Sequence, residues 1–194
     1  HSYEILNNRQ TGKQVSDYTD VSKNAWYYDA AKYVTDKQLM SGEKPYVFGA
    51  DEALTRAEVA SALYNLAGQP KVELASFTDV PVTHQARTAI AWAAKTGIMK
   101  GVGDNKFEPD RSVSREEIAT LLTRQRKLSG EDVSADKAAI NEFADSAKIS
   151  SWAVDGVAYC TKSGLVKGNP GKVFAPAGNT TRAELATIIQ RIAA

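Results

Sequence analysis

The stretch ALTRAEVASALYNL, residues 53–66, decides how this chain folds. Thr55 and Glu58 stand three apart, the spacing of a reciprocal helix cap. In that cap the hydroxyl takes the N–H of the third helical residue and the carboxylate takes the N–H of the capping residue. Between them, in the first turn, is Arg56. A helix start already carries partial positive charge, so a cation there costs a few tenths to about 1 kcal/mol. The arrangement recurs as SVSREEIATLLTR, residues 112–124, and as NTTRAELATIIQRIAA, residues 179–194. Three arginines at equivalent unfavourable places, Arg56, Arg115 and Arg182, require a reason.

The rest of the sequence repeats around them. YTDV places Asp20 36 residues before Arg56, FTDV places Asp79 36 before Arg115, and FADS places Asp145 37 before Arg182. Tyr33, Trp92 and Tyr159 correspond between these anchors, as do Gly42, Gly101 and Gly168, and Phe48, Phe107 and Phe174. Such register over three segments defines a tandem repeat. The copies run over 15–73, 74–137 and 138–194, after an N-terminal extension at 1–14, and together form one module. Copy two is longer by seven residues in KLSGEDVSADKAAIN, residues 127–141, which reads as surface loop plus an added helical turn.

Each copy reads as helix, loop, helix. In AWYYDAAKYVTDKQL, residues 25–39, Tyr27, Ala30, Ala31 and Val34 recur at helical spacing, and the helix is expected to stop before Gly42. The Gly-containing loop has one large apolar residue, the repeated Phe, expected to plug into the core. The second helix carries an apolar stripe: Val59, Leu63 and Leu66; Ile118, Leu121 and Leu122; Leu185, Ile188, Ile189 and Ile192. Stripes this short are unstable alone. Three packed together make a small central bundle, so the expected class is all-α.

Composition narrows the function. The 194 residues carry 24 basic and 23 acidic side chains, a net charge of +1, which gives no support to nucleic-acid binding. One cysteine, Cys160, excludes an intrachain disulfide, and with two histidines leaves no zinc cluster of usual spacing. Cys160 aligns with Val34 and Ala93 and reads as a small buried hydrophobe. No apolar run reaches the roughly 18 residues of a membrane helix. The opening HSYEIL lacks an initiator Met, and no signal peptide is recognised. It reads as the start of an excised or processed piece, with His1 and Ser2 as vector residues.

The residues resemble a known family. Phe/Tyr-Thr-Asp-Val, a Trp, a helix, Lys-Gly-x-Gly-Asp-x-x-Phe-x-Pro and Thr-Arg-Ala-Glu are similar to the S-layer homology repeat. Copy two supplies the loop most fully with Gly101, Gly103, Asp104, Phe107 and Pro109, and copies one and three supply Thr-Arg-Ala-Glu literally. The resemblance covers residues from about 18 to 194. It implies a pseudo-threefold helical module with a central three-helix bundle and three projecting lobes. It also implies a non-catalytic, monomeric anchor at the bacterial cell wall, extracellular, without cofactor, metal or membrane insertion. The implied ligand is peptidoglycan-linked secondary cell-wall polysaccharide bearing a pyruvate ketal on N-acetylmannosamine. Binding would occur in grooves between lobes, with the motif arginine facing the pyruvate carboxylate.

That ligand suits the opening oddity. A helix start offers free N–H groups to an anion, and an arginine adds a planar fork for a carboxylate. The candidate ligand-binding residues are therefore Arg56, Arg115 and Arg182, removable with little loss of stability. Asp20, Asp79 and Asp145 are candidates either to pair with the arginines internally or to orient them. Trp26 and Trp152 offer platforms to a sugar face or pack their own lobes, and copy two has Gln85 there, beside His84, which predicts a groove that is weaker or reads another sugar. Gly42, Gly101 and Gly168 stop helices or admit a close ligand. Lys100 and Lys167, with Ser41 in copy one, are either second cationic contacts or solvated surface. Two other functions remain open: a wall-associated glycan hydrolase, which needs one asymmetric carboxylate pair, and a protein-interaction scaffold. Carboxylates distributed in threes favour repeated binding surfaces.

Overall fold

All three capping boxes form. Thr55, Ser114 and Thr181 each accept the backbone N–H of Glu58, Glu117 and Glu184 through their side-chain oxygens, at 3.2 Å in every case. Each glutamate reaches back to the cap residue's N–H at 3.1–3.4 Å. In a computed structural model that describes residues 14–194, these caps open three of the six α-helices among the described residues. The N-terminal extension, apart from residue 14, lies outside them. The helices are α1 (Tyr28–Asp36), α2 (Arg56–Leu66), α3 (Arg87–Thr96), α4 (Arg115–Leu128), α5 (Val154–Ser163) and α6 (Arg182–Ala193). Short 3-10 turns and isolated β-bridges complete an all-α architecture.

The capped helices meet at a hub. Leu54 N–H donates to Thr180 O at 2.8 Å, Thr180 N–H to Val113 O at 3.1 Å, and Val113 N–H to Leu54 O at 2.9 Å. This closed ring joins the residues two positions before the three arginines and gives the chain its pseudo-threefold axis. Beyond the hub, each capped helix packs mainly on the first helix of the next copy: α2 on α3, α4 on α5, and α6 back on α1. Copies one and three thus close the circle, and each lobe is completed by a neighbour.

The stripe residues nearest the hub, among them Val59, Leu63, Ile118, Leu122, Leu185 and Ile189, are at most 1% exposed. Phe48, Phe107 and Phe174 are fully buried, as the plug reading requires. Trp92 and Tyr159 are core, whereas Tyr33 is half-buried. Cys160 is buried against Ala119 O, and burial pushes its thiol pKa up to about 12. The stretch that lengthens copy two carries an extended helix end and a 3-10 turn that runs into copy three. Helix α4 runs to Leu128, and a 3-10 turn follows at Lys137–Glu142.

The first helix is shorter than its sequence pattern, and the repeated glycines do not end it. Helix α1 stops at Asp36, and α3 and α5 end at Gly97 and Gly164 in left-handed conformation. Gly42 and Gly168 serve close packing instead. A Cβ on Gly42 would come within 2.6 Å of the Tyr18 ring, and one on Gly168 within 2.6 Å of the Phe143 ring. The aromatic residue before each Thr/Ala-Asp lies over the glycine.

Thr180 is the odd member of the hub. It is 1% exposed, occupies the position of Leu54 and Val113, and its hydroxyl has no partner. Thr180→Val removes an unsatisfied polar atom at nearly constant volume. It should raise stability by about 1 kcal/mol. An unchanged or lowered urea midpoint would refute this.

Candidate functional site

The three arginines bridge the copies. Arg56 Nε donates to Phe107 O at 2.9 Å and its Nη2 to Lys100 O at 2.6 Å. Arg115 makes the same pair of bonds to Phe174 O and Lys167 O, both at 2.7 Å. Arg182 donates to Phe48 O at 2.9 Å and to Ser41 O. Each guanidinium also lies over the ring of the same Phe, with the Arg56 carbon 4.5 Å from the Phe107 centroid. The arginines are 4–6% exposed. Each is anchored at one helix start and holds the loop of the following copy.

The helix starts are not open anion sites. Arg56 N–H and Ala57 N–H donate to Arg111 O and Pro109 O, both at 2.9 Å. Carbonyls of Gly178 and Pro176 take the equivalent N–H groups of α4, and those of Glu52 and Ala50 take the ones of α6. With the capping boxes, these bonds satisfy donors that a lone helix would leave free. The third guanidinium nitrogen, Nη1, is what remains: in Arg115 and Arg182 it meets the cap glutamates Glu184 and Glu58.

Nor do the aspartates pair with the arginines. Asp79 accepts Phe107 N–H at 2.9 Å and Glu108 N–H at 2.7 Å. Asp20 takes the N–H groups of Phe48 and Gly49, and Asp145 those of Phe174 and Ala175. Each carboxylate therefore clamps the loop whose carbonyl the arginine takes. Desolvation alone would raise the Asp79 and Asp145 pKa values. The N–H groups outweigh it and hold both below the usual carboxylate range.

Between the second and third lobes lies a cleft of about 610 Å³, lined by Arg56, Lys100, Gly101, Arg111, Glu117, Arg124 and Trp152 among others. Trp152 is 57% exposed and Trp26 is 69% exposed. Both indoles are largely exposed, with Trp26 edge-on to Tyr27 at 5.5 Å between ring centroids. In the register of the repeat, the place of Trp152 falls to Trp26 for α6 and to Gln85, exposed, for α2. Lys100 and Lys167 are exposed at their grooves, with their backbone carbonyls held by arginine. Burial lowers the Arg56 pKa, and the neighbouring Arg111 lowers it further. Glu117, Glu108 and Asp79 act in the opposite direction, and burial prevails.

Several residues here escaped the sequence reading. Arg124 Nη1 donates to Ile98 O at 3.1 Å, Arg191 to Leu165 O at 2.9 Å, and Asn65 to Leu39 O at 3.1 Å. All three stand nine residues after a motif arginine, a register the repeat makes visible. Glu116, 8% exposed, accepts from Ser150 N–H at 2.8 Å and Ser150 Oγ at 2.7 Å. It fixes the turn that carries Trp152. The Ser-Arg-Glu-Glu variation of copy two is its only sequence trace.

The fold defines a three-copy repeat module with a surface cleft where its copies meet. The chain belongs to the S-layer homology domain family, whose profile matches residues 17–60, 76–119 and 142–186. It is 31% identical over 173 residues to an amylopullulanase of Thermoanaerobacterium thermosulfurigenes, covering 89% of this chain and 9% of that protein. It is 29% identical to exoglucanase XynX of Acetivibrio thermocellus, covering 95% and 17%. It is 27% identical to an S-layer protein of Bacillus thuringiensis subsp. finitimus, covering 90% and 21%. The chain thus spans about a fifth or less of these relatives. Two of them carry enzyme names and one is an S-layer protein. Among the described residues no helix is long and apolar enough to cross a membrane.

The arginines therefore carry stability. Arg56→Ala deprives the buried Phe107 carbonyl and the part-buried Lys100 carbonyl of a charged donor. It should lower unfolding free energy by about 2–4 kcal/mol in urea titrations; a loss under 1 kcal/mol would remove the bridging role. Asp79→Asn should cost about 1–3 kcal/mol at neutral pH, because the amide replaces one acceptor with a donor facing an N–H. For Asp79 and Asp145 the folded pKa is depressed. Their contribution is present above the unfolded value near pH 4 and is lost as pH falls through the folded values. The penalty of Asp79→Asn should then shrink below about pH 4, and a pH-independent penalty would contradict the assignment.

Proposed function

We propose that this module is a non-catalytic anchor that holds the protein carrying it at the bacterial cell wall, outside the cell. Its ligand is secondary cell-wall polysaccharide, recognised at a pyruvate-ketal N-acetylmannosamine unit in the grooves between lobes. The observation that carries the reading is the cleft around Arg56. It joins an arginine edge, Lys100 and Arg111 to the exposed face of Trp152. An anionic sugar needs both parts: cations for its carboxylate, and a flat apolar surface for its ring.

The relatives support an anchoring role. Enzymes and S-layer proteins with different names share this stretch over a small part of their length. A unit carried by proteins so different serves something they have in common, and location is such a property. The hydrolase alternative finds no carboxylate pair in this cleft. Glu117 already caps α4 and meets Arg111.

Calorimetric titration with synthetic pyruvylated N-acetylmannosamine, and with the unpyruvylated sugar as control, tests the proposal. Binding should require the ketal and weaken with added salt. Trp152→Ala should weaken it by about 1–2 kcal/mol without unfolding the module. Equal affinity for both sugars would overturn the ligand, and cleavage of isolated wall polysaccharide would overturn the anchor.

A further inference from the structure

The three grooves are built alike and charged unlike. The cap glutamate of the groove's own helix sits next to the bridging arginine. Glu58 pairs with Arg182 Nη1, and Glu184 lies 3.4 Å from Arg115 Nη1. In these two grooves the outward edge of the guanidinium already faces a carboxylate. In the second groove it does not. Arg56 uses Nε and Nη2 on carbonyls, and its Nη1 has no hydrogen-bond partner among the described residues, although the side chain is 5% exposed. Glu117, which occupies the position of Glu58 and Glu184, lies instead 3.4 Å from Arg111 Nη2. Arg111 is held from the other side by Glu108 at 2.8 Å.

This pair of residues belongs to copy two alone. Arg111 corresponds to Glu52 and Gly178, and Glu108 to Gly49 and Ala175. The second groove thus presents Arg56, Lys100, Arg111 and Arg124. The matching positions around Arg115 give Lys167, Gly178 and Arg191, and those around Arg182 give Ser41, Glu52 and Asn65. The positive charge is greatest where the cap glutamate has been drawn away.

We infer that Arg111 is a positioning residue that selects the second groove as the module's strong anionic-sugar site. It withdraws Glu117 from Arg56 and so leaves a nearly buried guanidinium edge for the ligand's carboxylate. The inference rests on the anchoring reading above and adds which groove is strong and why. In the other two grooves a carboxylate ligand must displace Glu58 or Glu184 or sit beside its charge, which lowers affinity.

Replacing Arg111 by the residue of copy three, Arg111→Gly, returns Glu117 to Arg56. Arg111 is a surface side chain, 46% exposed, so folding should be little affected and the melting temperature serves as the check. In titrations with the pyruvylated sugar, the wild-type chain should show one strong site. Arg111→Gly should weaken that site on the order of tenfold. Adding Glu117→Gln should restore most of the loss, because glutamine keeps the capping box but carries no charge to offer Arg56. Three equal wild-type sites, wild-type affinity in Arg111→Gly, or no rescue in the double variant would each overturn the inference while leaving the anchor in place. Failure of the wild-type chain to bind the pyruvylated sugar at all would overturn both.

Discussion

One guanidinium per copy, reaching from a helix start to two carbonyls of the next copy's loop, holds this molecule's geometry. Neither of its anchors has a fixed shape alone. The loop owes its shape to an aspartate that gathers two N–H groups and to a Phe driven into the core. The helix owes its start to the capping box and to carbonyls from that same loop. Each carbonyl group so placed accepts either a helix N–H or an arginine N–H, and both kinds of bond cross between copies. The unfavourable placement of a cation in the first helical turn is offset by these charge-assisted bonds at low exposure. The oddity of the sequence is thus an interface between repeats.

Closure in a ring has a consequence for binding. In an open array the terminal repeat leaves an uncapped helix and an unheld loop. Here α6 packs on α1, and Arg182 reaches the loop of copy one, so none of the three interfaces is left over. The groups that make a helix N-terminus attractive to anions are used internally in all three places. What remains for a ligand is the residual edge of the guanidinium and the side chains that each copy adds around it. Binding character is therefore set by residues that differ between copies, and structural character by those that recur.

This division explains what the sequence disclosed. The repeat, the caps, the Phe plugs and the all-α class all rest on recurrence, and recurrence is visible in one sequence. The partners of Asp20, Asp79 and Asp145 were not visible, because a carboxylate and an arginine 36 or 37 residues apart suggest an ion pair as readily as two separate clamps. The exchange of partners between copies was hidden for a related reason: a repeat pattern is unchanged whether a helix packs on its own copy or on the next. Gly42 and Gly168 read as helix stops or as places for close ligand approach because the steric demand on them comes from Tyr18 and Phe143, more than 20 residues earlier. Arg111 and Glu108 escaped because a search for what repeats discards what occurs once.

The same division governs how variants of this module are to be read. A motif arginine serves the interface with Nε and Nη2 and offers the groove no more than its last edge. Removing it changes the loop, the neighbouring helix start and the cleft together. Loss of binding in such a variant therefore reports on the architecture before it reports on the ligand. The side chains of Trp152 and Arg111 stand outside the bridge, exposed and without a part in the hub, although the Arg111 carbonyl accepts the Arg56 N–H. At those positions affinity and stability separate, so recognition is measurable there apart from folding. In a molecule whose copies hold one another, specificity is most legible where the copies disagree.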